Sequence, residues 1–149
     1  MTNMMEIKSE LGFTAGDEKL IADLSKIPWP RKNIVKQHNT YVVYNDGYPV
    51  TDGHLLFVPR SRNILFISDC FIEAYKTGVI GVENGDWDSF NVGMNFGTEA
   101  GQTIDWPHVH MIPRRKGDME DPRGGVRHVI PDRGNYRNES TYWASKINE

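Results

Sequence analysis

Between Ile34 and Pro113 the apolar residues come in short runs of strand length, with a single longer stretch of helical period among them. Ile34–Val35 and Tyr41–Tyr44 read as strands joined through the polar Gln37-His38-Asn39, and Asn45-Asp46-Gly47 supplies a turn before a further strand at His54–Pro59. Phe71, Ile72, Tyr75, Val79 and Val82 then recur at helical spacing, which predicts the main helix over Ser68–Val82, capped by Ser68 or Asp69. Gly78 and Gly81 weaken the second half of that helix, so it either frays or packs closely on a neighbour. After a break at Asn84-Gly85, Ser89–Asn95 alternates as a strand, and Thr103–Pro113 completes the set. Near the start, Leu20, Ile21 and Leu24 at helical spacing, followed by Pro28 and Pro30, predict a short helix over Asp17–Lys26. About five strands and two helices in this order specify an α+β fold around an antiparallel sheet.

A chain of 149 residues fits one domain and buries a core without staples. Lys plus Arg number 17 against 20 Asp plus Glu, a formal charge of −3, so no global field draws the chain to nucleic acid or to an anionic membrane. The apolar runs, such as Leu55–Val58, are too short to span a bilayer, and the first residues lack the basic start and apolar run of a signal peptide. The expected location is cytoplasmic. The single cysteine, Cys70, excludes an internal disulfide and reads as a small core residue.

The chemistry concentrates in Gly101-Gln102-Thr103-Ile104-Asp105-Trp106-Pro107-His108-Val109-His110-Met111-Ile112-Pro113-Arg114-Arg115. On a strand, the spacing of His108 and His110 puts both imidazoles on one face, with Val109 and Met111 on the other. An amide and a hydroxyl upstream, with several cations downstream, converge on what the imidazoles face, which points to an anion and above all to phosphate. Displacement at phosphorus needs an uncharged imidazole nitrogen in line with the leaving group, and the other ring nitrogen hydrogen-bonded to fix the tautomer. His108 meets the first need, and a nearby backbone carbonyl would meet the second. Pro107 cannot donate to a ladder, so the strand is expected to be an edge or to carry a bulge there. Trp106 either shields the site, stacks on a base or is merely packed.

This run, together with Tyr41-Val42-Val43-Tyr44-Asn45, Tyr48-Pro49-Val50 and Gly53-His54-Leu55-Leu56-Phe57-Val58-Pro59-Arg60, resembles the signature of the histidine triad family of nucleotide hydrolases and transferases. The resemblance spans about half of the chain, from roughly Thr40 to Lys116. It implies that His108 is the nucleophile that becomes nucleotidylated and His110 its phosphate-contacting helper, with Trp106 in the place of the first of the family's three histidines. It places Asn95 near the phosphates, Asn45 near the ribose and His54 at the pocket wall; the Gln102 amide and the Thr103 hydroxyl are further candidate donors by their chemistry. The implied substrates are nucleotide conjugates cut at the α-phosphate, such as dinucleoside polyphosphates or nucleoside phosphoramidates. The implied assembly is a homodimer. The scheme requires no cofactor, and a divalent cation on the substrate phosphates is compatible with it.

Two other readings stay open. His-x-His on a strand is also a zinc ligand pair, with Asp105 or His54 as the third ligand. A non-catalytic nucleotide-binding protein is the other, in which loss of the first histidine has removed turnover. The domain is taken as 1–149, with 117–149 as a C-terminal extension of glycine, arginine and acid without amphipathic period. That extension is either a loose wrap around the sheet or, through Gly124-Gly125, a means of bringing Arg123 and Arg127 to the phosphates beside Arg114.

Overall fold

The computed structural model of the protein describes residues 24–135. The expected helix over Asp17–Lys26 lies outside them except for its end, where Leu24–Lys26 forms a 3-10 turn. Five strands, β1 (Ile34–Gln37), β2 (Tyr41–Asn45), β3 (Leu55–Pro59), β4 (Ser89–Gly93) and β5 (Val109–Arg114), make one antiparallel sheet in the order β1-β2-β3-β5-β4. One helix, α1 (Ile64–Glu83), follows β3. The α+β architecture expected from the run lengths is therefore present, with one α-helix among the described residues.

The period of two separates the faces. Tyr41, Val43, Phe57, Val109 and Met111 point one way and pack on Cys70 and Ala74 of α1. Val42, Tyr44, Leu56 and Val58 point the other way and are covered by Ile27, with Leu24, Trp29, Ile34 and Trp106 around them. His54 and His110 lie on this second face, because His110 pairs with Leu56 in register.

Two element boundaries differ from the sequence reading, each for a local reason. Helix α1 starts at Ile64, four residues before the expected start, because Asn63 caps it: its Oδ1 accepts from the Leu65 N–H at 2.9 Å. The expected strand Thr103–Pro113 is shortened to Val109–Arg114, and residues 101–108 form a loop. There the Gln102 carbonyl oxygen accepts from the Gly97 N–H, and its NH2 group donates to the Ile104 and Asp105 carbonyls, so the amide braces a turn where a ladder was expected. Pro107 is neither an edge nor a bulge: it is buried just before an interior strand.

The glycines of α1 mark close packing rather than fraying. A Cβ on Gly78 would lie 2.4 Å from the Phe90 ring and one on Gly81 would lie 1.9 Å from the Trp87 ring. Trp87 also donates its indole N–H to the Gly78 carbonyl at 3.0 Å. The helix thus sits directly on β4 and the segment leading into it. No helix among the described residues is long and apolar enough to cross a membrane.

Candidate active site

His108 ends the loop before β5 and is 8% exposed; His110 is the second residue of the strand. Their ring centroids are 5.1 Å apart, and the Trp29 indole stands edge-on to His108 at 4.8 Å. His108 Nδ1 lies 2.8 Å from the Trp106 carbonyl oxygen. A carbonyl only accepts, so Nδ1 carries the hydrogen and Nε2 keeps its lone pair. This is the tautomer a nucleophilic imidazole needs.

The same logic fixes the next two rings. The Val50 backbone N–H donates to His54 Nδ1 at 3.2 Å, which leaves the His54 hydrogen on Nε2. His54 Nε2 is 2.9 Å from His110 Nδ1, so that hydrogen is donated there and the neutral His110 carries its own hydrogen on Nε2. Asp46 Oδ2 lies 3.4 Å from His54 Nε2, while its Oδ1 accepts from the Tyr48 N–H at 2.8 Å. Burial, and then the neighbouring His108 and His54, hold the His110 imidazole down to about 4, against the opposing pull of Asp46. Burial likewise lowers His54, again opposed by Asp46. In these tautomers the array is one bare nitrogen on His108 beside one N–H donor on His110, which its lowered pKa keeps neutral at pH 7.

A cavity of about 570 Å³ opens beside His54 and His110 and is lined also by Asn91, Asn95, Ile112 and Arg114. Of the residues singled out from the sequence, His54, His110, Asn95 and Arg114 meet at this cavity. Asn45 is exposed at the end of β2 and is not among the lining residues. Gln102 spends its amide on the loop, and Thr103 is exposed on the same loop. Trp106 packs against the Val42–Tyr44–Leu56–Val58 cluster, donates its indole N–H to the Pro59 carbonyl at 2.9 Å and carries the Arg62 guanidinium 4.9 Å from its ring centroid. Of its three readings, the packed one accounts for these contacts.

The arginines are placed differently from the expectation. Arg114 gives Nε and Nη2 to both oxygens of Asp118 at 2.8 Å and Nη1 to Asn91 Oδ1 at 2.8 Å. Arg123 forks onto Asp121, and Arg127 Nε donates to the Gly134 carbonyl. Neither Arg123 nor Arg127 lines the cavity; their segment contributes Gly125, Val126 and Val129 in their place. For a metal, Asp46, His54 and His110 offer donor atoms within 4.8 Å of one another, whereas Asp105 is exposed and paired with Arg62 at 2.7 Å.

Asp46 and Trp29 were not singled out from the sequence. Asp46 was readable as part of a turn, and the hairpin that its N–H closes onto the His54 carbonyl at 3.0 Å is what sets it opposite His54. Trp29, between two prolines, carries no periodic signal.

The fold of the described residues is shared with solved structures. The crystal structure of the Caenorhabditis elegans NitFhit protein aligns with a TM-score of 0.55 and 29% identity, covering 68% of this chain and 26% of that one. The fold is that of the histidine triad proteins. A zinc-bound histidine triad family protein from Mycobacterium smegmatis aligns with a TM-score of 0.54 and 23% identity, covering 59% of this chain and 69% of that one. No protein-family model matches the chain. In sequence, the chain is 33% identical over 107 residues, 64% of its length, to the nitrilase and fragile histidine triad fusion protein NitFhit of C. elegans, of which it spans 24%. It is 31% identical over 80 residues, 49% of its length, to a bis(5'-adenosyl)-triphosphatase of Dictyostelium discoideum, of which it spans 54%. The histidine triad resemblance drawn from the sequence is thus shared by sequence relatives and by structural neighbours. The chain spans about half or less of the length of these curated relatives.

Proposed function

We propose that this chain is a nucleotidyl hydrolase or transferase that cleaves nucleotide conjugates at the α-phosphate through a nucleotidyl-His108 intermediate. The observation that carries the reading is the tautomer array: Nε2 of His108 bare, with Nδ1–H held by the Trp106 carbonyl at 2.8 Å, beside a neutral His110 that presents an N–H. His108 Nε2 attacks the α-phosphorus; the N–P bond forms as the P–O bond to the leaving phosphate breaks, and a phosphate leaving group departs as an anion. Water then attacks the same phosphorus, the N–P bond breaks and the water proton passes to solvent. The His110 N–H stabilises charge on the nonbridging oxygens in both steps. Asn95, at the cavity wall, adds an amide donor on the same side.

The triphosphatase name of the Dictyostelium relative supports dinucleoside polyphosphates as substrates. Nucleoside phosphoramidates are the second substrate class of the same chemistry. A homodimer belongs to this reading, and the exposed Ile72, Tyr75 and Ile80 of α1 offer it an apolar surface. So does a cytoplasmic location. No metal is needed by the scheme, and a divalent cation on the substrate phosphates is compatible with it.

Zinc-dependent hydrolysis is a second reading, favoured by the Asp46, His54 and His110 donors. Two imidazole nitrogens on one tetrahedral zinc, at about 2.0–2.1 Å each, lie roughly 3.3 Å apart. His54 Nε2 and His110 Nδ1 lie 2.9 Å apart, so zinc would open the pair by about 0.4 Å, and chelation decides between the two schemes.

The test is chromatographic release of nucleoside monophosphate from dinucleoside polyphosphates and nucleoside phosphoramidates, with a chelator present, by wild type and His108→Ala. Release that survives chelation and vanishes in the variant is the expected result. Release abolished by chelator moves the chemistry to the zinc reading, and nucleotide binding without release makes the chain a binding protein.

A further inference from the structure

The cavity beside the histidines is bordered by a strap from the C-terminal side. From His110 it runs along β5 through Ile112 to Arg114, the direction away from His108, which is not among its lining residues. The Gly125–Val129 turn contributes Gly125, Val126 and Val129 to its lining, and Ile112 and Val50 add further apolar side chains. Val126 and Val129 are 58% and 76% exposed, so these apolar side chains reach the open face of the cavity and are not core.

The strap is built to hold that position. A Cβ on Gly124, at φ 97°, would lie 2.4 Å from the Gly134 carbonyl oxygen, so the two ends of the loop touch backbone to backbone. Arg127 Nε donates to that carbonyl at 2.9 Å, His128 Nε2 donates to the Arg123 carbonyl at 2.7 Å, and Asn135 Nδ2 donates to Asp121 at 3.2 Å. The loop meets the sheet at Gly125, beside the NH2 group of Asn91, whose Oδ1 is turned to Arg114.

We propose that this cavity is the subsite for the base of the leaving nucleotide, and that Val126 and Val129 are specificity-determining residues which grip it. The proposal rests on the reading of His108 as the nucleophile. In-line displacement sends the leaving group to the side of phosphorus opposite the attacking atom, and the cavity extends from His110 away from His108. Its walls match a flat heteroaromatic ring, with apolar contact for the faces from Val50, Ile112, Val126 and Val129 and amides of Asn91 and Asn95 for the edge. Its volume of about 570 Å³ falls within the roughly 300–1,000 Å³ of small-molecule sites. Substrates whose leaving group carries a base are thereby favoured over those that release a small group.

The experiment measures equilibrium binding of diadenosine triphosphate and of AMP to the full chain carrying His108→Ala, with and without Val126→Asp and Val129→Asp, with Val129→Ser alone as a milder probe. The parent should bind the dinucleotide roughly ten-fold or more tightly than AMP, and the ratio should fall toward one in the strap variants. A parent with no preference, or a preference that survives both aspartates, overturns the subsite. If the wild-type chain turns over neither a dinucleotide nor a phosphoramidate while the affinity ratio behaves as described, the nucleophile assignment fails and the cavity stands as a binding site for the second base alone.

Discussion

At the residue scale, three imidazoles acquire different roles from three different partners. The Trp106 carbonyl makes His108 a lone-pair donor, the Val50 N–H sets the His54 tautomer, and His54 then sets that of His110. His108→Ala should lower turnover by roughly a thousand-fold or more, with a smaller change in nucleotide affinity, read by steady-state kinetics and calorimetry. The depressed His110 gives a signed pH dependence. Its folded value of about 4 lies below the ordinary 6.5, so the unfolded chain binds the proton first as pH falls. Stability from this group is complete above about 6.5 and is lost progressively toward 4, by at most about 3 kcal/mol. Thermal unfolding from pH 7.5 to 4 should show the loss, and His110→Asn should flatten it. Burial pushes the Cys70 thiol up, so Cys70 should resist alkylation at pH 8 in the folded chain and react on unfolding. The histidine pair was legible because alternation alone puts both rings on one face. Asp46 and Trp29 were not, since hairpin closure and a crossing of the N-terminal segment bring them in, and neither leaves a periodic trace.

At the scale of elements, the join between α1 and β4 holds the sheet edge that flanks the site. Gly→Ala in a helix normally gains roughly 0.5–1 kcal/mol, whereas forcing atoms into a packed interface costs about 1–3 kcal/mol. At Gly81 the second effect wins, because the new Cβ would lie inside the Trp87 ring envelope at 1.9 Å. Gly81→Ala should therefore lower the midpoint of denaturant unfolding, and Gly81→Ala with Trp87→Leu should recover part of it. Asn63→Ala should cost about 1 kcal/mol through the lost cap. The existence of every strand was legible from run length and alternation. The early start of α1 was hidden because Ile64-Leu65-Phe66-Ile67 is apolar on all sides and its signal rests on one cap. The late start of β5 was hidden because Ile104 and Trp106 look like strand residues until Gln102 is seen tying that stretch into a loop.

At the scale of the whole molecule, the sheet divides labour between its faces. One is sealed by α1 around Phe57, Val109 and Met111; the other carries the histidines between an apolar N-terminal cover and the Gly125–Val129 strap. Removing the strap by truncation before Pro122 should leave the sheet folded, as judged by circular dichroism, and weaken dinucleotide binding more than AMP binding. The proposed reaction depends on a covalent intermediate on His108. Its most direct test is intact-mass and peptide analysis of the chain mixed with diadenosine triphosphate in chelator and quenched in alkali during turnover. The added mass of one nucleoside monophosphate on the peptide containing His108, absent from His108→Ala, is the predicted result. Turnover without any adduct, or an adduct that persists in His108→Ala, would contradict it.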